Sequence, residues 1–213
     1  MSSIAIIDYG MGNLHSIAKA VEHVAPEARV RVSSRSAEIL AADRVVFPGV
    51  GGIGHTMQEL ERTGLGEVAR EAAGDKPMLC ICVGMQALFE RSEENGGTAC
   101  LGLVPGEVRR FPEGMSAADG SKLKVPHMGW NQVHQQAHPL WEGIAQDSRF
   151  YFVHSYYTVP AVQELSAATT EYGIGFCCAL ARENLFAVQF HPEKSQRAGL
   201  ALLENFSRWD GGT

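Results

Sequence analysis

No apolar run in this sequence approaches the roughly 18 residues that a membrane-spanning helix requires. No basic cluster exceeds a pair such as Arg109-Arg110, and the formal net charge is −6. A nucleic-acid surface needs a concentrated basic patch, so that class of partner is set aside. The five cysteines include no Cys-x-x-Cys pair, and Cys80, Cys177 and Cys178 lie on apolar runs. Neither a zinc site nor a disulfide framework is expected from them. The first residues lead straight into an apolar run without a basic leader, so no signal peptide is expected, and the expected setting is the reducing cytoplasm. No internal repeat and no low-complexity segment are visible. Hydrophobic residues make up 45% and charged residues 20% of 213 residues, enough for one large α/β domain over residues 1–213 with a sizeable core.

The apolar runs that are present are short. Ile4-Ala5-Ile6-Ile7, Arg44-Val45-Val46-Phe47 and Met78-Leu79-Cys80-Ile81 read as strands buried on both faces, the mark of a parallel sheet. Each ends in an unusual loop. After the first comes Gly10-Met11-Gly12-Asn13, which lacks the third glycine of a dinucleotide-binding turn. After the second comes Pro48 to Gly54, with four glycines in seven residues, whose uncovered N–H groups can face an anion. After the third comes Cys82-Val83-Gly84, opening a helix expected over Met85 to Arg91. Ligands of open parallel sheets bind at the carboxyl ends of strands, so the three loops are expected to converge.

Helices are expected over Leu14 to Val24, from a Ser36 cap to Ala42, and over Thr56 to Arg62 and Gly66 to Ala73. Residues 28–33 alternate as an edge strand does. From Ser92 the texture changes to short alternating runs: Glu107 to Phe111, Asn131 to Gln135, Arg149 to Val153 and Leu165 to Thr170. These read as an antiparallel extension of the first sheet, with a polar loop over residues 114–122. A hairpin follows, Phe176 to Ala181 and Leu185 to Phe190. A last helix begins at Ser195, with Ala198, Leu202, Phe206 and Trp209 on one face.

Cys82 taken alone is as well read as a buried free cysteine. At a strand-to-helix turn, though, free N–H groups favour the thiolate, the form that attacks carbon. The second hairpin strand runs into His191-Pro192-Glu193. Residues two apart on a strand share a face, so imidazole and carboxylate can lie side by side. A thiol needs a base near neutral pH, and the base needs an anion to orient it.

With these motifs the chain resembles the class I (triad) glutamine amidotransferases over nearly its whole length. Ile-Cys-Val-Gly-Met-Gln around Cys82 and Gln-Phe-His-Pro-Glu at 189–193 carry that resemblance. Ile7 to Leu14, Pro48-Gly49-Val50-Gly51, Pro126 to Asn131 and Tyr151 to Tyr156 are similar, more narrowly, to the glutaminase subunits of imidazole glycerol phosphate synthase. One departure is Cys80, where the class usually has glycine.

The resemblance implies a Rossmann-like open, mostly parallel sheet with helices on both faces and an antiparallel extension. It implies hydrolysis of L-glutamine through a γ-glutamyl thioester, with Cys82 as nucleophile, His191 as proton shuttle and Glu193 orienting it. It assigns the oxyanion to the Val83 N–H and one from Val50-Gly51. It assigns the glutamine pocket to Gln86, His154, Ser155 and Tyr156. It implies a (β/α)8-barrel cyclase partner docking near Asn13, Trp130 and Lys194, and neither a metal nor an organic cofactor. It also implies a partner-driven switch in the Gly49-Val50 peptide. Alternatives are the glutaminase subunit of a pyridoxal phosphate synthase and a Cys-His peptidase of similar fold.

Overall fold

The computed structural model describes residues 2–117 and 119–212. Its first half alternates strands and helices. These are β1 (Ser3–Ile7), α1 (Leu14–Val24), β2 (Arg29–Ser33), α2 (Ser36–Leu40), β3 (Arg44–Gly49), α3 (Ile53–Thr63), α4 (Leu65–Asp75), β4 (Met78–Cys82) and α5 (Val83–Ala87). The second half is mostly strand. It runs β5 (Arg91–Ser92), β6 (Thr98–Ala99), β7 (Gly106–Arg110), β8 (His127–Gln132), β9 (His134–Gln135), β10 (Arg149–His154) and β11 (Tyr156–Pro160). It closes with β12 (Ser166–Glu171), β13 (Gly175–Arg182), β14 (Leu185–Val188) and α6 (Gln196–Arg208).

The large sheet has the order β2-β1-β3-β4-β14-β13-β11-β7-β5-β6, with β12 and β9 branching from β13. The strands from β2 to β14 are parallel. From β14 through β13 and β11 to β7 the pairing is antiparallel, which is the expected extension. The central strands β1, β3, β4 and β14 are buried almost throughout, as their unbroken apolar runs require, and β2 is an edge with alternating exposure. Helices α1 and α6 pack together, and α4 packs on α2 and α3, so the sheet is layered between helices.

Several expectations are corrected. The helix after Cys82 stops at Ala87, because residues 101–104 take its next carbonyls: Leu101 N donates to Ala87 O at 2.8 Å and Leu103 N to Leu88 O at 2.8 Å. Ser36 is inside α2 and does not cap it; Arg35 stands at the cap, and Ser33 Oγ accepts the Arg35 N–H at 3.1 Å. β8 and β10 form a separate two-stranded sheet, and only β9 of the expected 131–135 strand joins the main one. The last helix buries Gly199, Leu202, Leu203 and Phe206, with Trp209 just past its end. The 114–122 loop carries a Ser116–Lys122 bridge, and Ala118 within it lies outside the described residues.

β14 ends at Val188, two residues short of the expected strand end. Phe190 beyond it is fully buried, with its ring centroid 4.2 Å from that of Phe150 and 5.6 Å from that of Phe152. This aromatic cluster anchors the segment that leads to His191. Phe190→Ala leaves a cavity that neighbouring rings cannot fill, and it should cost about 3–5 kcal/mol. Urea unfolding measures this; a loss under about 1 kcal/mol would contradict the anchoring role.

Candidate active site

From β1 the chain crosses to β2 on one side, while β3 lies on the other. That reversal opens a crevice at the carboxyl ends of the strands. A cavity of about 680 Å³ lies there, and all three glycine or elbow loops reach it. Cys82, Val83, Gln86, Val50, Gly51, His154, Ser155, Tyr156, His191, Asn13 and Lys194 all line it; Glu193 and Trp130 do not. A larger cavity of about 810 Å³ lies over the antiparallel strands; its lining from β11 is Tyr157 to Pro160, and it includes none of these site residues.

Cys82 is the last residue of β4 and the first of the turn, with φ 56° and ψ −112°. A side chain at positive φ costs on the order of 1–3 kcal/mol and persists only where neighbours over-determine it. Here they do. β3 pairs alongside, with Gly49 opposite Cys82, and β14 flanks the other side, with Val188 opposite Ile81. A Cβ on Gly84 would overlap the Phe47 carbonyl oxygen. One on Gly49 would stand 2.6 Å from Gly84 N and 2.9 Å from Val83 Cβ. Gly49 is therefore needed for close packing as well as for any peptide rotation, and Gly49→Ala would push the elbow out of place. Tyr9, buried, donates its hydroxyl to Pro48 O at 2.9 Å and holds the start of the glycine loop. Cys80 lies mid-strand between Phe47 and Ala187, fully buried, and burial pushes its thiol well above the ordinary range. Its thiol is unsuited to attack.

His191 and Glu193 do meet: Nδ1 lies 2.9 Å from Glu193 Oε1, and both side chains are buried. The reason differs from strand alternation. The pair sits beyond β14 on a tight 3-10 turn over Pro192–Lys194, tied down by Ser195 Oγ donating to His191 O at 2.6 Å. Nε2 makes no hydrogen bond of ordinary length among the described residues, but the Cys82 sulfur is near enough to bias its protonation. Burial alone would lower the imidazole's pKa. The nearby Cys82 sulfur, together with the hydrogen bond to the Glu193 carboxylate, outweighs burial and raises it to about 10.

The two other buried histidines beside the cavity behave oppositely. His154 Nδ1 donates to Tyr156 O at 2.7 Å and its Nε2 meets His127 Nδ1 at 2.9 Å. Burial lowers His154 to about 3 and His127 to about 4, so both are neutral. His154 has both ring nitrogens occupied within the protein and builds the wall. Gln86 is similarly tied: its Nε2 donates to Tyr156 O at 3.1 Å and to Gln189 Oε1 at 3.0 Å.

Sequence reasoning gave no site role to Glu94 or Gln189, and it placed His127 on the docking face. Glu94 lines the cavity and accepts the Ile53 N–H at 2.9 Å, fixing the far end of the glycine loop. Gln189 and His127 are buried behind the wall. Nothing in local spacing singles out Glu94, which is brought in by the 3-10 turn between the paired strands β5 and β6.

The family model for class-I glutamine amidotransferases matches residues 5–208. The chain belongs to that family. It is 60% identical to the imidazole glycerol phosphate synthase component HisH of Methylococcus capsulatus, over 99% of this chain and 98% of that protein. It is 58% identical to the HisH protein of Nitrosococcus oceani, over 99% of each. Among solved structures it resembles PurLQS from Thermotoga maritima, with a TM-score of 0.68 at 14% identity, covering 96% of this chain and 97% of that one. That last likeness speaks for the fold.

The raised His191 pKa carries a stability consequence. Its contribution is fully present below the unfolded value near 6.5 and is lost as pH rises through about 10. Glu193→Gln removes one of the two charges responsible, so the His191 titration followed by NMR should move down. An unmoved titration would mean that Glu193 does not bear on the imidazole.

Proposed function

We propose that this chain is the glutaminase subunit of an imidazole glycerol phosphate synthase, and that Cys82, His191 and Glu193 are its catalytic triad. One observation carries the reading of the site: a cysteine held at positive φ shares a cavity with His191, whose Nδ1 meets the buried Glu193 behind it. Near-full-length identity with the HisH proteins supports the assignment to that synthase.

The geometry supports thiol-based hydrolysis of the glutamine side-chain amide. With His191 raised to about 10, its Nε2 already holds the Cys82 proton, and Sγ attacks the side-chain amide carbon of glutamine as the thiolate. The carbonyl oxygen becomes an oxyanion, received by the Val83 N–H and one from Val50-Gly51. When the intermediate collapses, the carbon–nitrogen bond breaks, His191 returns its proton to the leaving nitrogen, and ammonia departs. His191 then takes a proton from water, whose oxygen displaces the sulfur and releases glutamate. Glu193 keeps a proton on Nδ1 and supports the imidazolium. Among the described residues that line the cavity Glu94 is the one carboxylate, and it suits the α-ammonium of the substrate.

The ammonia acceptor is a (β/α)8-barrel cyclase, and the proposed setting is the cytoplasm. No described helix is long and apolar enough to cross a membrane. The docking face is an exposed band beside the cavity. In the β8–β10 ribbon His127 and His154 turn inward, while Met128 and Trp130 turn out, 60% and 41% exposed. Trp130 packs edge-on against Tyr151, and the Lys194 ammonium lies 5.9 Å from the Tyr151 ring centre. Such aromatic anchors ringed by polar groups are what interfaces use.

Cys82→Ala should abolish glutamate release from glutamine with the thermal unfolding midpoint little changed. The assembled synthase carrying it should still turn over with ammonium salts. Glutamine-dependent turnover at the wild-type rate would remove the triad. Separately, Trp130→Ala should weaken binding of the barrel partner by at least about tenfold in calorimetry. Undiminished affinity would move the docking face elsewhere.

A further inference from the structure

Gln189 precedes the triad histidine by two residues and takes no part in the proton transfers of His191. It is fully buried. The parallel register of β14 on β4 sets Val188 beside Ile81, so the next residues, Gln189 and Cys82, lie side by side. Its backbone N–H donates to Cys178 O at 2.8 Å, which ties it to β13. Its side-chain Nε2 lies 3.7 Å from Cys82 Sγ, a hydrogen-bond distance for the larger sulfur atom.

The orientation of that amide is forced. Tyr156 O is a backbone carbonyl and can only accept, and His154 Nδ1 already donates to it at 2.7 Å. The Gln86 atom 3.1 Å from Tyr156 O must therefore be its nitrogen. That nitrogen's second proton points to Gln189, 3.0 Å away, so the facing Gln189 atom is the oxygen. The Gln189 nitrogen is left facing the sulfur. Flipping it would set Gln86 nitrogen against Gln189 nitrogen and leave a buried donor without an acceptor.

We propose that Gln189 is a further catalytic residue: its amide N–H donates to Cys82 Sγ and stabilises the thiolate without taking part in the proton transfers of His191. The proposal rests on Cys82 being the nucleophile. The sulfur is negative twice in the cycle, before attack and again when the thioester opens. An amide donor is always protonated, so it supports both stages without exchanging a proton. Gln86 acts through it as a positioning residue, and the chain His127–His154–Tyr156 O–Gln86–Gln189 reaches the nucleophile from the docking ribbon.

The test is the pH dependence of Cys82 alkylation by iodoacetamide in the full chain, read by mass spectrometry of the Cys82 peptide, for Gln189→Leu and Gln189→Glu. Losing a hydrogen bond to a charged group is expected to move the alkylation midpoint up by about one pH unit in Gln189→Leu. Its kcat for glutamine should fall about tenfold with KM within about twofold. Gln189→Glu keeps the shape and still accepts from Gln86, but sets a carboxylate against the thiolate, so its midpoint should move further. A space-filling role predicts instead that the Glu variant follows wild type. Midpoints equal to wild type in both variants overturn the proposal, and an unfolded Leu variant leaves the isosteric Glu variant to decide. Gln86→Met, which frees the Gln189 amide to turn, should show a smaller shift in the same direction. In wild type, alkylation of Cys82 must also abolish glutamate release; if activity survives, the nucleophile assignment fails, whatever Gln189 does.

Discussion

The end of β3 and the first turn of α5 are in contact so close that no side chain fits between them. Gly84 faces the Phe47 carbonyl oxygen, and Gly49 faces the Gly84 nitrogen. This contact turns a buried strand end into a site. With α5 pressed onto β3, the chain leaving β4 has no room for an ordinary bend, and Cys82 takes the strained φ of 56°. The same contact brings Val83 within the cavity that Val50 and Gly51 also line. Sulfur and candidate oxyanion donors are thus set by one piece of backbone packing, with strand pairing on both sides supplying the energy that holds the strain.

Electrostatics then separates histidines that look alike in sequence. His191 and His154 are both buried at the ends of strands. One faces a carboxylate and a sulfur and is pushed up to about 10; the other faces a carbonyl and a second imidazole and is pushed down to about 3. Burial acts in the same direction on both, so partner charge decides which ring carries a proton. That division gives a proton donor for the leaving nitrogen, which becomes a base once it has given its proton up, and a rigid neutral wall for the pocket.

The parallel half was legible because its strands are fully buried, and continuous apolar runs such as Ile4 to Ile7 and Met78 to Ile81 have no other home. Cys82, His191 and the glycine loop were legible for the same reason, since they stand where those runs stop. The antiparallel half was less so. Alternating runs do not say which strands they pair with, and β8–β10 leaves the main sheet. The length of α5 is set by residues 101–104 capturing its carbonyls, a contact invisible at the elbow. The His191–Glu193 pairing was anticipated on strand geometry and is produced by a 3-10 turn. Glu94 and Gln189 were missed because their partners lie 41 and 107 residues away along the chain.

The central claim is that Cys82 carries the acyl group taken from glutamine. Acid quenching of the protein during turnover, followed by peptide mass spectrometry, tests it directly. A glutamyl adduct confined to the peptide containing Cys82, and localised to that sulfur by fragmentation, is the expected result. An adduct on Cys80, or none at any quench time with glutamate still being released, would contradict it.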